Sequence, residues 1–290
     1  MSIVITGANG LLGRLVIADL LAAGVPADTV TAVARSEAKA ADLAELGLRL
    51  HVGDYDRPET FAGLFRPEDR VLLISGSEVG KRIPQHGNVI EAARAAGVAQ
   101  LAYTSVFGGP KADFTLADEH RATEQLIIDS GLPYTFLRNN WYSEVYFGDL
   151  AGVLERGALV NSVAPGSRVA TAARADYAAA AAAVLHGDEH LNQAYELSGD
   201  IAWTFGEFVA ELSRQTGRTV VHAVVSPEEQ KAILTGVGLP EGFADVLVDV
   251  DDAINRGLLA GTPGDLSRLT GRPTTPIGES IAAALATLAA

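Results

Sequence analysis

The 290-residue chain contains no cysteine, which excludes disulfide bonds, thiol catalysis and thiolate metal sites. Positive charge is also scarce: 22 lysines and arginines stand against 36 aspartates and glutamates, so the net charge is -14 and the pI is near 4.8. This balance argues against nucleic-acid partners and anionic membrane surfaces, and any phosphate site must be local. Neither a run long enough to span a bilayer nor a signal peptide is visible. We therefore expect a cytoplasmic monomer or homodimer that does not insert into membranes.

The most specific pattern lies in the first thirteen residues. An apolar run over 2–6 predicts a buried strand, a glycine turn follows at once, and an amphipathic helix is predicted from about Leu11 to Ala23. The glycines allow a tight turn, close approach of a pyrophosphate and close packing of the helix on the strand, while the helix N-terminus offers unpaired N–H groups. The spacing is G-x-x-G-x-x-G rather than the commoner G-x-G-x-x-G, but the strand–turn–helix order still predicts a dinucleotide site. Its expected residues are Gly7, Ala8, Asn9, Gly10, Leu11, Leu12 and Gly13.

The end of the second predicted strand indicates which dinucleotide is bound. Arg35 stands there, 22 positions after Gly13, followed by Ser36 and without a carboxylate. An arginine at this place accommodates the 2′-phosphate of NADPH, whereas an acidic residue binds the ribose hydroxyl of NADH. The sequence therefore favours NADPH over NADH. The alternative is an ordinary solvated arginine.

Polar residues also follow the other predicted strands, where open α/β sheets bind their ligands. Asp54 follows the third strand and is a candidate acceptor for the adenine amino group. Each of these positions also fits a plain turn. The further candidates after the fourth and fifth strands are Ser75, Gly76, Ser77, Thr104 and Ser105.

Regular alternation of apolar strands with helical patterns predicts an α/β fold, a Rossmann-type doubly wound parallel sheet with a small, mostly helical C-terminal domain. We expect the cofactor-binding core to comprise 1–138, with about 170–200 returning to it. We assign 139–169 and 200–290 to a smaller substrate domain that closes a cleft over the cofactor.

One catalytic pattern is missing. No tyrosine is followed by a lysine four positions later, so the Tyr-x-x-x-Lys pair with which many short-chain reductases protonate a carbonyl oxygen is not present. An electron-poor acceptor depends less on a protein acid to protonate it, because hydride transfer to a quinone gives a stabilised aromatic anion. Solvent or a nearby histidine can protonate this anion, so positioning and exclusion of water would supply most of the rate.

Several longer motifs carry a resemblance to a known family. The chain resembles the bacterial NAD(P)H:quinone oxidoreductases of type 2, which belong to the NmrA-like, atypical short-chain dehydrogenase group. The motifs include 6–13, Arg35, 74–80, 84–86, 102–105, 116–120, 137–144, 174–177, 195–197, 237–240 and 271–275.

The resemblance implies NADPH bound without flavin or metal, and two-electron reduction of a quinone in a cleft between the domains. It also implies further residues that line the cofactor and its nicotinamide: Asn139, Asn140, Trp141, Tyr142, Ser143, Glu144, Thr171, Arg174 and Asp176. Gln125 departs from the family, which commonly has lysine there. If that lysine contacts the cofactor, binding changes in this chain, and if it lies on the surface, nothing changes.

His120 and Tyr142 are the candidate catalytic residues. His120 stands at a predicted helix start near the expected nicotinamide, as a proton donor or quinone contact with a pKa near neutrality. The alternative is a helix-start histidine bonded to backbone. Trp141, Tyr142 and Tyr146 are candidates for an aromatic wall that stacks on a flat quinone. They are equally consistent with packing at a domain interface.

Two other functions stay open from sequence. The first is reduction of other electron-poor acceptors, such as triphenylmethane dyes, by a close branch of the same group. The second is a non-catalytic NADP(H) redox sensor like NmrA, which also lacks Tyr-x-x-x-Lys. His186 and His190 have the spacing of a metal pair, but Gly187 lies between them and no third ligand is evident, so no metal is expected.

Overall fold

The computed structural model describes residues 2–289 and contains a seven-stranded sheet in which all neighbouring strands are parallel. In chain order the strands are Ser2–Ile5 (β1), Val30–Ala34 (β2), Arg49–Val52 (β3), Asp69–Leu73 (β4), Gln100–Val106 (β5), Tyr134–Asn139 (β6), Ala158–Asn161 (β7), Arg168–Val169 (β8), Gln193–Leu197 (β9), Trp203–Thr204 (β10) and Val221–Val224 (β11). The sheet has the order β3-β2-β1-β4-β5-β6-β9, which confirms the predicted Rossmann-type fold.

Helices cover both faces of the large sheet. In chain order the helices are Leu11–Ala22 (α1), Ala41–Glu45 (α2), Arg82–Ala96 (α3), Thr115–Asp129 (α4), Leu150–Arg156 (α5), Arg174–His186 (α6), Phe205–Thr216 (α7), Pro227–Gly236 (α8), Glu241–Asn255 (α9), Asp265–Thr270 (α10) and Ile277–Ala289 (α11).

The apolar strands of the sheet are explained by burial on both faces. Ile3 and Ile5 of β1 lie in the core with α1 and α6, whereas Val4 between them lies in the opposite core with α3 and α4. All three side chains are buried. Since neither face is exposed to water, alternation of polar and apolar residues is absent, as expected for parallel strands.

A separate hydrophobic cluster fills the part of the chain after β6. Trp203, Phe208 and Leu212 pack there with Ile254 of α9 and Ile281 of α11. Two small sheets lie in this part, an antiparallel β8–β10 pair and a parallel β7–β11 pair. The cluster also takes in Val106, Phe114 and Ala117 from the end of β5 and the start of α4, so it packs onto the main sheet near the carboxyl end of β5.

The structure differs from the sequence-based expectations in detail. The sequence pattern over about 37–46 predicts a helix, whereas the structure has a 3₁₀ turn at Ala38–Ala40 followed by the short α2. Helix α5 and strands β7, β8, β10 and β11 were not predicted. Leu266 of α10 packs in the same core as α6, although it belongs to the range assigned to the substrate domain. A six-residue helix carries too few apolar positions for its packing partner to be read from periodicity.

Within residues 2–289, none of the helices is long and apolar enough to cross a membrane.

Candidate functional site

The glycine turn lies between β1 and α1, as expected. Gly7 has a φ of +62°, a left-handed conformation that favours glycine. A Cβ on Gly13 would lie 2.6 Å from the Gly7 carbonyl oxygen and 2.8 Å from Ala8 Cα, so only glycine allows α1 to pack this closely on the turn. Gly10, at the N-cap, makes no side-chain cap, which leaves the first-turn N–H groups of α1 without a side-chain partner. This is the geometry that receives a pyrophosphate.

A cavity of about 240 Å³ opens at the carboxyl ends of β1, β2 and β4. The cavity joins the glycine turn to the ends of the neighbouring strands, where a doubly wound fold binds its dinucleotide. Its lining residues are Gly7, Asn9, Gly10, Val33, Ala34, Arg35, Gly53, Asp54, Tyr55, Ile74, Ser75, Gly76, Ser77, Glu78 and Gln85. We call it the cofactor cavity.

Arg35 lies at the mouth of the cofactor cavity and its side chain is 71% exposed. Arg35 Nη1 is 3.6 Å from Oε1 of Glu78, whose other oxygen is 2.9 Å from Lys81 Nζ. Among the described residues, the guanidinium is therefore held next to the cavity by a long, solvent-exposed ion pair. Such pairs contribute little stabilising free energy. Arg35 stays available to a phosphate.

Helix α3 holds the cavity wall formed by 75–78. The Gly76 N–H donates to His86 Nε2 at 2.9 Å, and the Gly76 carbonyl accepts from Arg82 Nε at 2.6 Å. His86 Nδ1 is 2.9 Å from Thr123 Oγ1, which in turn donates to the Glu119 carbonyl. Because Nε2 must accept, Nδ1 carries the proton and the ring is neutral. Burial lowers the pKa of His86 to about 3, with the nearby Arg82 charge contributing in the same direction.

Tyr55 fixes the floor of the same cavity. Its Oη is 2.5 Å from Thr6 Oγ1 and donates to the Ile74 carbonyl at 2.8 Å, so it joins the ends of β1 and β4. Ser75 N donates to Thr104 Oγ1 at 2.8 Å, which ties the next strand to this edge. Of the candidates after β5, Thr104 therefore supports the cavity wall through a hydrogen bond.

Two buried oxygen atoms, one on the last residue of β6 and one shortly after it, accept no hydrogen bond from the described residues. Asn139 Oδ1 and Glu144 Oε2 are both buried without a hydrogen-bond partner among residues 2–289. Asn139 Nδ2 donates to Tyr142 Oη at 3.1 Å, and Glu144 Oε1 accepts from the Arg174 N–H at 2.8 Å. Buried acceptors are costly when unpaired, and a carboxamide such as that of nicotinamide brings N–H donors. The residues present thus fit a nicotinamide dinucleotide.

Tyr142 lies beside these acceptors. Its ring packs against Tyr177 with centroids 4.9 Å apart, and the Arg174 guanidinium carbon lies 5.4 Å from the ring centroid. Burial raises the pKa of Tyr142, so the phenol keeps its proton at neutral pH. Within the described residues the Oη accepts one hydrogen bond, from Asn139, and its own O–H donates to none.

Four of the other predicted cofactor residues, Ser105, Asn140, Ser143 and Thr171, have side-chain hydrogen-bond partners within the protein. Ser105 Oγ donates to Glu124, Asn140 Nδ2 donates to two backbone carbonyls, and Ser143 Oγ bonds to Thr171 Oγ1. Thr171 also accepts from the Trp203 indole N–H at 2.9 Å.

Asp176 likewise has a structural role. Its carboxylate accepts from Thr275 N at 2.8 Å and from the Thr275 hydroxyl, and it pairs with Arg272 at 2.7 Å. Asp176 is almost completely buried. Its side chain therefore fastens the start of α6 to the segment before α11.

The near-neutral pKa expected for His120 is wrong. The ring is buried, and Nδ1 is 2.8 Å from the Tyr103 hydroxyl rather than bonded to backbone. Burial, together with the charge of Arg82, lowers the pKa of His120 well below its usual value, so the ring is neutral at physiological pH. His120 is not among the residues that line the cofactor cavity.

The three aromatic residues considered either for a quinone wall or for domain-interface packing lie in two groups. Tyr142 packs on Tyr177, whereas Tyr146 makes edge contacts with Trp203 and Phe205 in the second cluster. Trp141 and Tyr146 line a second cavity, described below, that Tyr142 does not reach. A continuous wall of all three is therefore not formed.

Gln125 lies on the exposed face of α4 and donates to Asp129 at 2.8 Å. Its position is a surface one, so the departure from the family's lysine leaves the cofactor cavity unchanged. Among residues 2–289, no group of three or more histidine or acidic side chains is arranged to hold a metal ion.

The sequence did not predict the residues that hold the walls of the cofactor cavity in place by hydrogen bonds to backbone groups. Arg82, His86 and Tyr55 act through backbone groups of neighbouring strands, and no local pattern predicts such contacts. The available signal was the motif at 84–86, which was part of the resemblance but had no role assigned.

Comparisons with known proteins agree with this geometry. A family model described as NAD(P)H-binding matches residues 7–188. The chain is 44% identical to quinone oxidoreductase 2 of Escherichia coli over 279 residues, which cover 96% of this chain and 97% of that protein.

Solved structures show the same likeness. The NADPH complex of the Escherichia coli NADPH-dependent quinone oxidoreductase superposes with a TM-score of 0.94 at 44% identity, covering 98% of this chain and 99% of that one. The triphenylmethane reductase of Citrobacter sp. has a TM-score of 0.92 at 40% identity, covering 98% and 99%. The chain therefore belongs to the family of the type 2 NAD(P)H:quinone oxidoreductases, within the NAD(P)H-binding proteins of the Rossmann fold.

Proposed function

We propose that this chain is an NADPH-dependent, flavin-independent enzyme that reduces quinones to hydroquinones by two electrons. The observation that carries the proposal is the cofactor cavity, which has the glycine turn on one side and the unshielded Arg35 guanidinium at its mouth. The likeness to the Escherichia coli quinone oxidoreductase over nearly the whole chain supports the choice of acceptor. The absence of a flavin rests on the family resemblance.

The cofactor's two ends would be held by different parts of the chain. The turn residues 7–13 would receive the pyrophosphate on backbone N–H groups, and Arg35 would pair with the 2′-phosphate. Asp54 lies in the lining of the same cavity as a candidate acceptor for the adenine. The unpaired oxygens of Asn139 and Glu144 would accept from the carboxamide, which fixes the ring's orientation.

Bound NADPH would supply a hydride. The chain would position the cofactor and the quinone, exclude water from the site and donate a proton. Tyr142 is the proposed proton donor, because its phenol is held by Asn139 and its own O–H is not used within the described part of the chain. His120 is not proposed for this role, since its ring is buried and neutral. Residues 139–169 and most of 200–290 would close over the acceptor and exclude water.

Reduction of a triphenylmethane dye is the second candidate. The observation that favours it is the likeness to the Citrobacter enzyme, whose TM-score of 0.92 is close to that of the quinone oxidoreductase. Both reactions would draw on NADPH in the same cofactor cavity and would differ in the acceptor, so a direct comparison of dye and quinone turnover separates them.

The flavin-independent reaction is tested by comparing flavin content with activity. Purified protein is denatured, the released flavin is measured by fluorescence, and quinone-dependent NADPH oxidation is assayed in the same preparation with and without added flavin. We expect activity in protein that contains no flavin, unchanged by its addition. Activity that appears only with added flavin would overturn this part of the proposal.

A further inference from the structure

A second cavity, of about 160 Å³, lies wholly in the part of the chain after β6. It is lined by the segment around Trp141, by α5 and β7, and by α8 and α9, and it is partly open to solvent. It shares no lining residue with the cofactor cavity. A ligand in this space would therefore be recognised by a separate set of side chains.

The walls of this second cavity are mainly apolar and include an aromatic surface. Its volume is close to that of an engineered apolar cavity, of about 150 Å³, that binds benzene. A single six-membered ring is therefore the size of ligand that fits. The apolar and aromatic lining residues are Trp141, Val145, Tyr146, Val153, Leu159, Val160, Leu234, Leu247 and Val250.

Tyr146 brings an unused polar group to these walls. Its Oη is buried and has no hydrogen-bond partner among residues 2–289. Burial raises the pKa of Tyr146 well above its usual value, and the neighbouring Asp251 charge acts in the same direction, so the phenol keeps its proton. A buried hydroxyl without a partner is costly unless a ligand or water satisfies it. Tyr146 therefore offers a hydrogen-bond donor.

Asp251 is one of several polar residues in the lining and is only 5% exposed. The others are Gln230, Asn161 and the ion-paired Asp149 and Arg156. Its Oδ2 accepts from Gln230 Nε2 at 2.7 Å, from Ser162 N at 3.1 Å and from Ser162 Oγ at 3.4 Å. Its Oδ1 accepts no hydrogen bond from the described residues. Burial raises the pKa of Asp251 to about 6, so the carboxylate is mostly ionised at neutral pH. A ligand that meets Oδ1 must therefore bring a donor.

From this donor and acceptor pair we propose that the second cavity binds a single hydroxylated aromatic ring, such as a phenol or a hydroquinone. The ligand's hydroxyl donates to Asp251 Oδ1, and a ligand oxygen accepts from Tyr146 Oη. The ring itself lies between Trp141 and the aliphatic side chains. The site does not depend on the proposed reaction, because it needs neither NADPH nor turnover.

The donor requirement is tested by calorimetric titration of NADPH-free protein with two probes. Hydroquinone and 1,4-dimethoxybenzene share the ring and both oxygens, but only hydroquinone can donate. We expect hydroquinone to bind about tenfold more tightly, as a hydrogen bond to a charged group implies. Equal affinities, or no hydroquinone binding, would overturn the proposal.

Asp251→Asn then inverts the polarity of the site. The donors of Gln230 and Ser162 must still meet an oxygen, so the new amide has to turn its carbonyl toward them and its NH₂ group toward the cavity. The preference for hydroquinone should disappear or reverse, while Asp28→Asn on the surface should leave it unchanged. A preference that survives in Asp251→Asn would refute the assignment of Asp251.

A second variant keeps the test valid if Asp251→Asn does not fold. Leu234 lines the cavity and is only half-buried, so Leu234→Trp can fill the space from the side. We expect this variant to lose hydroquinone binding and to retain NADPH binding, because the two cavities share no residue. Hydroquinone binding as tight as in the wild type would show that the ligand lies elsewhere and would overturn the proposal.

Discussion

Arg35 and Glu78 face each other at the mouth of the cofactor cavity, and both are accessible to a ligand. Because NADPH differs from NADH only in its 2′-phosphate, Arg35→Asp should weaken NADPH at least tenfold more than NADH, in line with loss of a hydrogen bond between charged groups. Parallel titrations of both cofactors measure this. Arg57→Asp, which makes the same charge change outside the cavity, is the matched control. Equal losses for both cofactors would remove the phosphate role of Arg35.

Glu78 should act in the opposite direction. Its carboxylate is 3.6 Å from Arg35 and competes with a phosphate for the guanidinium. Glu78→Gln should therefore tighten NADPH binding by about two- to fivefold, the scale of an exposed ion pair, and leave NADH nearly unchanged. The same titrations at low and high salt provide the measurement. Weaker NADPH binding in Glu78→Gln would instead mean that Glu78 helps to form the site.

For individual residues, the sequence predicted which ones lie in the cofactor cavity better than it predicted what their side chains contact. The glycine turn, Arg35 and Asp54 lie in the cofactor cavity because a strand end and a turn are local features. Asp176 was predicted as a cofactor residue, but its carboxylate is occupied by Thr275 and Arg272, about a hundred positions away. Partners so distant in sequence cannot be read from spacing alone.

At the scale of elements, the wall over 75–78 depends on helix α3. His86→Asn shortens the side chain, so the Gly76 N–H loses its acceptor at a cost of about 1–3 kcal/mol. Since the wall borders the cofactor, we expect the KM for NADPH to rise several-fold with a smaller change in kcat. Steady-state kinetics against His190→Asn, which lies outside both cavities, measure this. An unchanged KM would show that α3 does not position the wall.

Element prediction succeeded where patterns are long and failed where they are short. The helical patterns over 116–130, 204–216 and 242–256 predict three long helices, and α4, α7 and α9 lie within one residue of these bounds. The β7–β11 pair joins Ala158–Asn161 to Val221–Val224, two four-residue runs far apart in sequence. Runs of that length do not specify a partner, so the second cavity that they border was not predicted.

At the scale of the whole molecule, the buried histidines predict how stability responds to acid. The pKa of His86 is about 3 in the folded protein, against its usual 6.5, so below pH 6.5 the unfolded chain binds more protons than the folded one. The stabilisation linked to neutral His86 is therefore fully present above pH 6.5 and is lost as the pH falls toward 3. His86 alone should cost about 2 kcal/mol at about pH 5 relative to neutral pH.

Urea unfolding at neutral pH and at about pH 5 measures this loss, with His86→Asn as the comparison. The wild type should lose more stability between the two conditions than the variant does, because the variant has no imidazole to protonate on unfolding. An identical loss in both proteins would contradict a neutral, buried His86.

The whole-molecule fold was predictable because strand–helix alternation extends over half the chain and permits few topologies. The arrangement after β6 was not, since irregular segments, short helices and crossings between the two parts carry little periodic signal. Every residue that lines the cofactor cavity precedes β6, in the half of the chain with regular strand–helix alternation. The cofactor side of the site could therefore be predicted in more detail than its acceptor side.

The activity proposed for this chain is the transfer of two electrons from NADPH to a quinone. The most direct measurement is anaerobic NADPH oxidation by flavin-free protein with a panel of simple quinones, with NADPH consumed and hydroquinone formed quantified together. We expect catalytic turnover in which one hydroquinone forms for each NADPH oxidised. Tight NADPH binding without turnover of any quinone or dye would contradict it and would leave a redox sensor.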